Sequence, residues 1–281
     1  MQSIFMPRAG GTLLALASLL LSACLLAPGK FTSTLDLRKS GQFSFAYTGE
    51  IHMLALSKLA EEAAVDDDKT FTAETCYKED SFDERPCTEA EIAEQKQAWQ
   101  DKRARSAEKR RQDAESMKAI LGGIDPSNPK AAEELAARLR RQAGWKRVDY
   151  KGDGLFDVDF AISGRLDHDF TFPTIERFPM ANAFVQIALR SDGTVRVDAP
   201  GFAPNAAGEP FRAMMQGIGA KEKATPGAPQ VDGRFTIRTD GAILANNTDE
   251  GPQTDAGGQK LDWAVNLRTP AAPTALIKLG M

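Results

Sequence analysis

The sequence predicts an α+β protein: a largely antiparallel sheet of hairpins covered by helices, with a helical insert that carries a long charged helix. Three observations lead there. Beyond Gly144, apolar residues recur with a period of two over several short runs. Asp-Gly pairs at Asp153-Gly154, Asp192-Gly193 and Asp240-Gly241 punctuate those runs as tight turns do. Before Gly144, a proline-free stretch from Thr88 to about Leu121 is made almost wholly of helix-forming residues.

The first element in chain order lies outside the body. Arg8 precedes an apolar run of 14 residues, Gly10 to Ala23, which ends in Leu21-Ser22-Ala23-Cys24. That is the layout of a signal peptide, well short of the roughly 20 apolar residues that span a bilayer. The four-residue end resembles the bacterial lipobox. The resemblance implies cleavage of residues 1–23, a diacylglycerol thioether and an acylated amine on Cys24, and a membrane anchor in the cell envelope. Several acyl chains together hold where one would exchange. Leu25, rather than Asp, after the cysteine favours the outer membrane and a periplasm-facing body where the aspartate sorting rule applies. An ordinary secretory peptide with an incidental cysteine is the alternative. Maturation removes Arg8 and moves the formal charge from -4 to -5.

Residues 24–65 read as the first part of the main domain. Phe31 to Leu37 and Gln42 to Tyr47 alternate around Arg38-Lys39-Ser40-Gly41, an opening hairpin, and Ile51 to Ala64 turns helical in period. Residues 66–144 form the insert. Cys76 and Cys87 close a short loop, read as a disulfide in an exported chain; a metal site would need further ligands. Thr88 with Glu91 makes a capping box for the long helix, whose middle, Trp99 to Glu115, is charged on nearly every side. Asp101 with Arg105 and Glu108 with Arg111 have supportive spacings. After the break Gly122-Gly123-Ile124-Asp125-Pro126, Asn128 caps and Pro129 starts a second helix with Leu135 and Leu139 on its apolar stripe, and Gly144 ends it.

Residues 145–281 supply the rest of the sheet. Phe156, Val158 and Phe160 alternate with Asp157 and Asp159, so one face is buried and one is wet. The segment Glu209 to Gly219 is a candidate short helix presenting Met214 and Met215 as an adaptable element, and Lys221 to Gln230 is a surface loop.

The ends of the chain resemble a known family. An N-terminal lipobox cysteine leads into strands ending Tyr47-Thr48-Gly49-Glu50-Ile51. Much later come GRFTIRTDGAILANNT, then GGQKLDWAV with a central Trp263, then TPAAPTALIKL. This is similar to the LppM-type lipoprotein domain, over the first 30 mature residues and the last 50. The resemblance implies an α/β domain linked to lipid binding and the cell envelope. The insert departs from that pattern.

Composition excludes more than it selects. A mildly acidic chain with no dominant basic, aromatic-interleaved patch argues against nucleic-acid binding. The two histidines are His52 and His168. His168 lies between Asp167 and Asp169, but in an extended segment both carboxylates face away from it. No nucleophile elbow, zinc-protease helix or phosphate loop occurs, so the chain reads as a non-enzyme without a cofactor. Asp249, Glu250 and Asp255 lack the spacing of a calcium loop.

The leading expectation is a membrane-anchored module that holds an apolar or amphiphilic ligand on the concave sheet face, lined by Phe156, Phe160, Phe235 and Trp263 with Met214 and Met215 nearby. The second is a scaffold whose charged helix engages an envelope partner. An interior cavity of several hundred cubic ångströms would favour the first. A filled core with a projecting helix would favour the second.

Overall fold

The computed structural model describes residues 26–53, 70–78, 83–120, 122–125, 128, 130–176, 182–203 and 230–280. Cys24, most of the expected helix after Ile51, and Met214 and Met215 lie outside them.

Alternation of apolar and polar residues makes the first two strands. In β1 (Leu26–Leu37), Phe31, Leu35 and Leu37 are buried; in β2 (Gln42–Met53), Phe45, Tyr47, Ile51 and Met53 are. Ile51 to Met53 therefore continues a strand rather than opening a helix, with Ile51 paired to Phe156. The chain continues through β3 (Cys76–Tyr77), β4 (Glu84–Arg85), α1 (Glu89–Ile120) and α2 (Ala131–Leu139). Next come β5 (Trp145–Gly152), β6 (Leu155–Arg165), β7 (Phe170–Phe172), β8 (Val185–Leu189) and β9 (Thr194–Asp198). A single 3-10 turn, Pro200–Phe202, precedes β10 (Asp232–Thr239), β11 (Ala242–Asn246), β12 (Gln253–Asp255), β13 (Gly258–Val265) and β14 (Thr274–Lys278).

These strands form two large sheets. One has seven strands in the order β12-β13-β10-β1-β2-β6-β5; the other has five, β11-β14-β9-β8-β7. The larger sheet is mixed, because β1 runs parallel to β10 from Lys30↔Asp232 to Leu37↔Thr239.

The fold is thus mostly β, and the expected helix-covered α+β architecture with a helical insert is overturned. A second sheet, and not a layer of helices, covers the first. Period two shows that a strand has one buried face but not which sheet it joins. Asp240-Gly241 illustrates the difficulty: it links β10 in one sheet to β11 in the other, whereas Asp153-Gly154 does close a hairpin, with φ of 47° and 72°.

Rings fill the space between the sheets. Phe172 of β7 lies 5.0 Å from Phe45 and from Tyr47, and 4.8 Å from Phe160; Phe202 stacks on Phe31 at 4.3 Å and meets Phe235 at 5.5 Å. Offset and tilted ring pairs of this kind add to the stabilisation that area burial alone provides. The buried Tyr47 hydroxyl donates to Glu50 O at 2.7 Å, and Ser33 Oγ donates to Ala46 O at 3.0 Å, so neither polar group is stranded. Helices contribute little cover: α2 buries Leu135 and Leu139 beside β5, and α1 buries none of its described side chains.

Candidate interaction surfaces

Phe156, Phe160, Phe235 and Trp263 are 3%, 6%, 0% and 6% exposed, so all four are core. In the sheet, β1 and β2 separate Phe235 and Trp263 from Phe156 and Phe160. Phe160 is wedged among Trp145, Phe45 and Phe172. Phe235 and Trp263 stack on each other at 5.6 Å, and Trp263 Nε1 donates to Asn247 Oδ1 at 3.0 Å. Phe156 borders an apolar crevice with Leu26, Met53, Leu135, Leu139 and Ile175, whose volume is about 10 Å³. The gap expected over this face is filled among the described residues, because Phe172 of the second sheet, Phe184 just before β8 and Phe202 of the 3-10 turn occupy it.

The disulfide Cys76–Cys87 is formed. It closes the short hairpin of β3 and β4, which packs on the first turns of α1. Glu74 N–H donates to Gln95 Oε1 at 2.8 Å, and Phe71 meets Trp99 edge-on at 5.9 Å. At the helix start, Thr88 N–H donates to Glu91 Oε2 at 2.8 Å and Glu91 N–H to Thr88 Oγ1 at 3.3 Å, a reciprocal capping box. Arg85 reaches the same carboxylate with both terminal nitrogens, at 2.8 and 2.5 Å. The Arg85 guanidinium, followed by the Thr88 amide and hydroxyl, holds Glu91 down to about 2.

Beyond Trp99 the helix runs through charged sequence. Glu108 accepts from Arg111 at 3.0 Å and from Gln112 at 3.0 Å, and Gln97 donates to Asp101 at 3.0 Å. From Lys102 to Arg111 there are six cationic residues, Lys102, Arg103, Arg105, Lys109, Arg110 and Arg111, against Glu108 alone. At 1.5 Å per residue, the 32 residues of α1 extend for about 48 Å. No described helix is long and apolar enough to cross a membrane. The second helix starts without the expected side-chain cap: Asn128 Oδ1 accepts from Lys130 N–H, and Ala131 is the first helical residue.

A polar cleft of about 650 Å³, which the sequence did not disclose, opens beside the β1–β2 turn. Asp36, Arg38, Ser44, Ser163 and Arg165 line it, together with Phe43. Register brings them together: Ser44 stands opposite both Asp36 and Ser163, and Gln42 opposite Arg165. Arg38 is held by the Asp36 carboxylate, which raises its pKa above the ordinary value, and also donates to Gly257 O at 3.1 Å. The β1–β2 hairpin sets Asp36 beside Ser44, and the pairing of β2 with β6, which no local motif announces, adds Ser163 and Arg165.

The weaker sequence candidates resolve individually. His168 Nδ1 does contact the Asp167 carboxylate, because residues 167 and 168 form a bend and not an extended strand; the two side chains are 83% and 68% exposed. Asp169 turns instead to accept from Leu189 N–H at 2.9 Å. Burial lowers the pKa of His52, on the end of β2. Asp255 pairs with Arg238 at 3.0 Å and Glu250 accepts from Gln253, and the described residues contain no group of three potential metal ligands.

No family profile matches the chain, and no curated protein matches it. Among solved structures, the folded domain of LppM from Mycobacterium tuberculosis is similar over 92% of this chain and 91% of that one, at 11% identity and a TM-score of 0.28, a weak resemblance.

Proposed function

We propose that the protein is a non-enzymatic lipoprotein of the cell envelope, anchored through Cys24, that presents its charged helix to an anionic partner. One observation carries the reading: α1 buries none of its described side chains, while the space between the sheets is closed by rings. A helix with so little apolar contact gains little from packing and is retained as a surface. Its cationic middle suits an acidic protein face, where charge complementarity sets approach and register. The anchor rests on the Leu21-Ser22-Ala23-Cys24 sequence and the short apolar run before it.

Two measurements test this. Fatty-acid labelling in cells should mark the wild type and not Cys24→Ser; label retained in that variant refutes the anchor. A photo-crosslinking residue at Ala104 should give one discrete adduct, absent from a control at Thr32 on the sheet and lost in Lys102→Glu/Lys109→Glu or at high salt. No adduct from Ala104, together with saturable fatty-acid binding by the folded body, would replace this reading with that of a ligand carrier.

A further inference from the structure

We infer that the body stands on the membrane in one orientation: the end formed by the start of β1, the end of β2 and the β5–β6 turn faces the lipid surface, and the polar cleft points away from it. The inference rests on the lipoprotein reading above and adds a geometry to it. Cys24, the lipid-bearing residue in that reading, is only two positions before Leu26. Leu26 is 1% exposed, pairs with Met53, and donates its backbone N–H to Asn182 Oδ1 at 3.0 Å. Two residues reach at most about 7 Å, so no flexible tether separates the anchor from the folded sheet.

The neighbours of Leu26 define what comes close to the lipid. Met53 N–H donates to Gly154 O at 2.7 Å, which brings the turn from Lys151 to Gly154 to the same end. Lys30 and Lys151 stand there with Glu50, Asp153 and Asp232, a set without cationic excess, so the covalent lipid and not charge fixes the orientation. From Leu26, β1 rises for 12 residues between two partner strands, β2 and β10, for most of its length. At about 3.3 Å per residue this carries its far end about 36 Å away. That end is the β1–β2 turn, where Asp36, Arg38 and Gln42 line the cleft.

Fluorescent labels at Lys151→Cys and Ser40→Cys report the two ends. With Cys24 lipidated and Cys76 joined to Cys87, the introduced thiol is the only free one. The full processed chain is placed in phosphatidylethanolamine/phosphatidylglycerol vesicles containing a headgroup-quencher lipid. Quenching should be several-fold stronger at position 151 than at position 40, and unchanged by salt. Ten Gly-Ser residues inserted between Leu25 and Leu26, with a reach of about 17 Å, should bring the two positions towards parity. Equal quenching without that insertion, with the lipid present by mass spectrometry, overturns the orientation alone. An unlipidated Cys24 overturns both the orientation and the lipoprotein reading.

Discussion

Replacing Gly144 with Ala should destabilise the body far more than one added methyl suggests. Gly144 has φ +91°, and a Cβ there would lie 2.4 Å from Phe160 Cε2 and 2.7 Å from Cζ. The ring cannot step aside: Phe160 is 6% exposed, with Phe172 at 4.8 Å, Trp145 at 5.2 Å and Phe45 at 6.3 Å. Nor can the backbone easily withdraw, because Gly144 O accepts from Ala161 N–H at 2.9 Å. A left-handed conformation costs a Cβ-bearing residue about 1–2 kcal/mol, and overpacking a filled core about 1–3 kcal/mol. The sum, about 3.5 kcal/mol in mid-range, corresponds to a fall in Tm of about 7–14 °C for a body of this size. Urea unfolding followed by tryptophan fluorescence measures it, since Trp145 adjoins the site. Combining the change with Phe160→Leu should cost less than the two single changes added, by about 1 kcal/mol, because the smaller side chain gives the methyl room. A loss of only about 0.5 kcal/mol for Gly144→Ala, typical of an uncoupled surface change, would refute the reasoning.

Three further outcomes follow from the same contacts. Glu91 is depressed to about 2, so its support of α1 is present above its ordinary value of 4.5 and is lost as pH falls through about 2. The helical dichroism should decline between those values, and Glu91→Gln should remove that step. Cys76 and Cys87 should resist alkylation until reduced, and Cys76→Ala/Cys87→Ala should cost the hairpin about 3 kcal/mol for a sequence separation of 11 while leaving the main urea transition in place. Phe172→Ala, by contrast, should lower that main transition by about 3–5 kcal/mol, because the ring touches Phe45, Tyr47, Trp145, Phe160 and Phe184.

Local chemistry was legible and partnership was not. The Thr88–Glu91 box, the Cys76–Cys87 bridge and the alternation of Phe156, Val158 and Phe160 each depend on residues within a few positions of one another, and each is present. The second sheet depends on β14, near the end of the chain, lying against β9, which begins 80 residues earlier at Thr194↔Lys278 paired in reverse to Asp198↔Thr274. No spacing rule encodes such a pairing. Without it, Phe160 and Trp263 read as an open apolar face, and the helices before Gly144 were assigned to cover it. The polar cleft was missed for the same reason: Ser44 and Ser163 are unremarkable until β2 and β6 are set side by side.

The parallel pairing of β1 with β10 also governs when the body can exist. Among the described strands β1 is the first to leave the ribosome or to emerge from a translocation channel, yet one of its two neighbours begins at Asp232, 202 residues after its partner Lys30. The centre of the seven-stranded sheet therefore stays open at one edge until most of the chain has been released. Contacts this distant in sequence form slowly, because the entropy of closing the loop must be met before any ladder hydrogen bond is made. A nascent chain of this design can pair β1, β2, β6 and β5 early, but the sheet closes on the other side of β1 only after its last strands have come through.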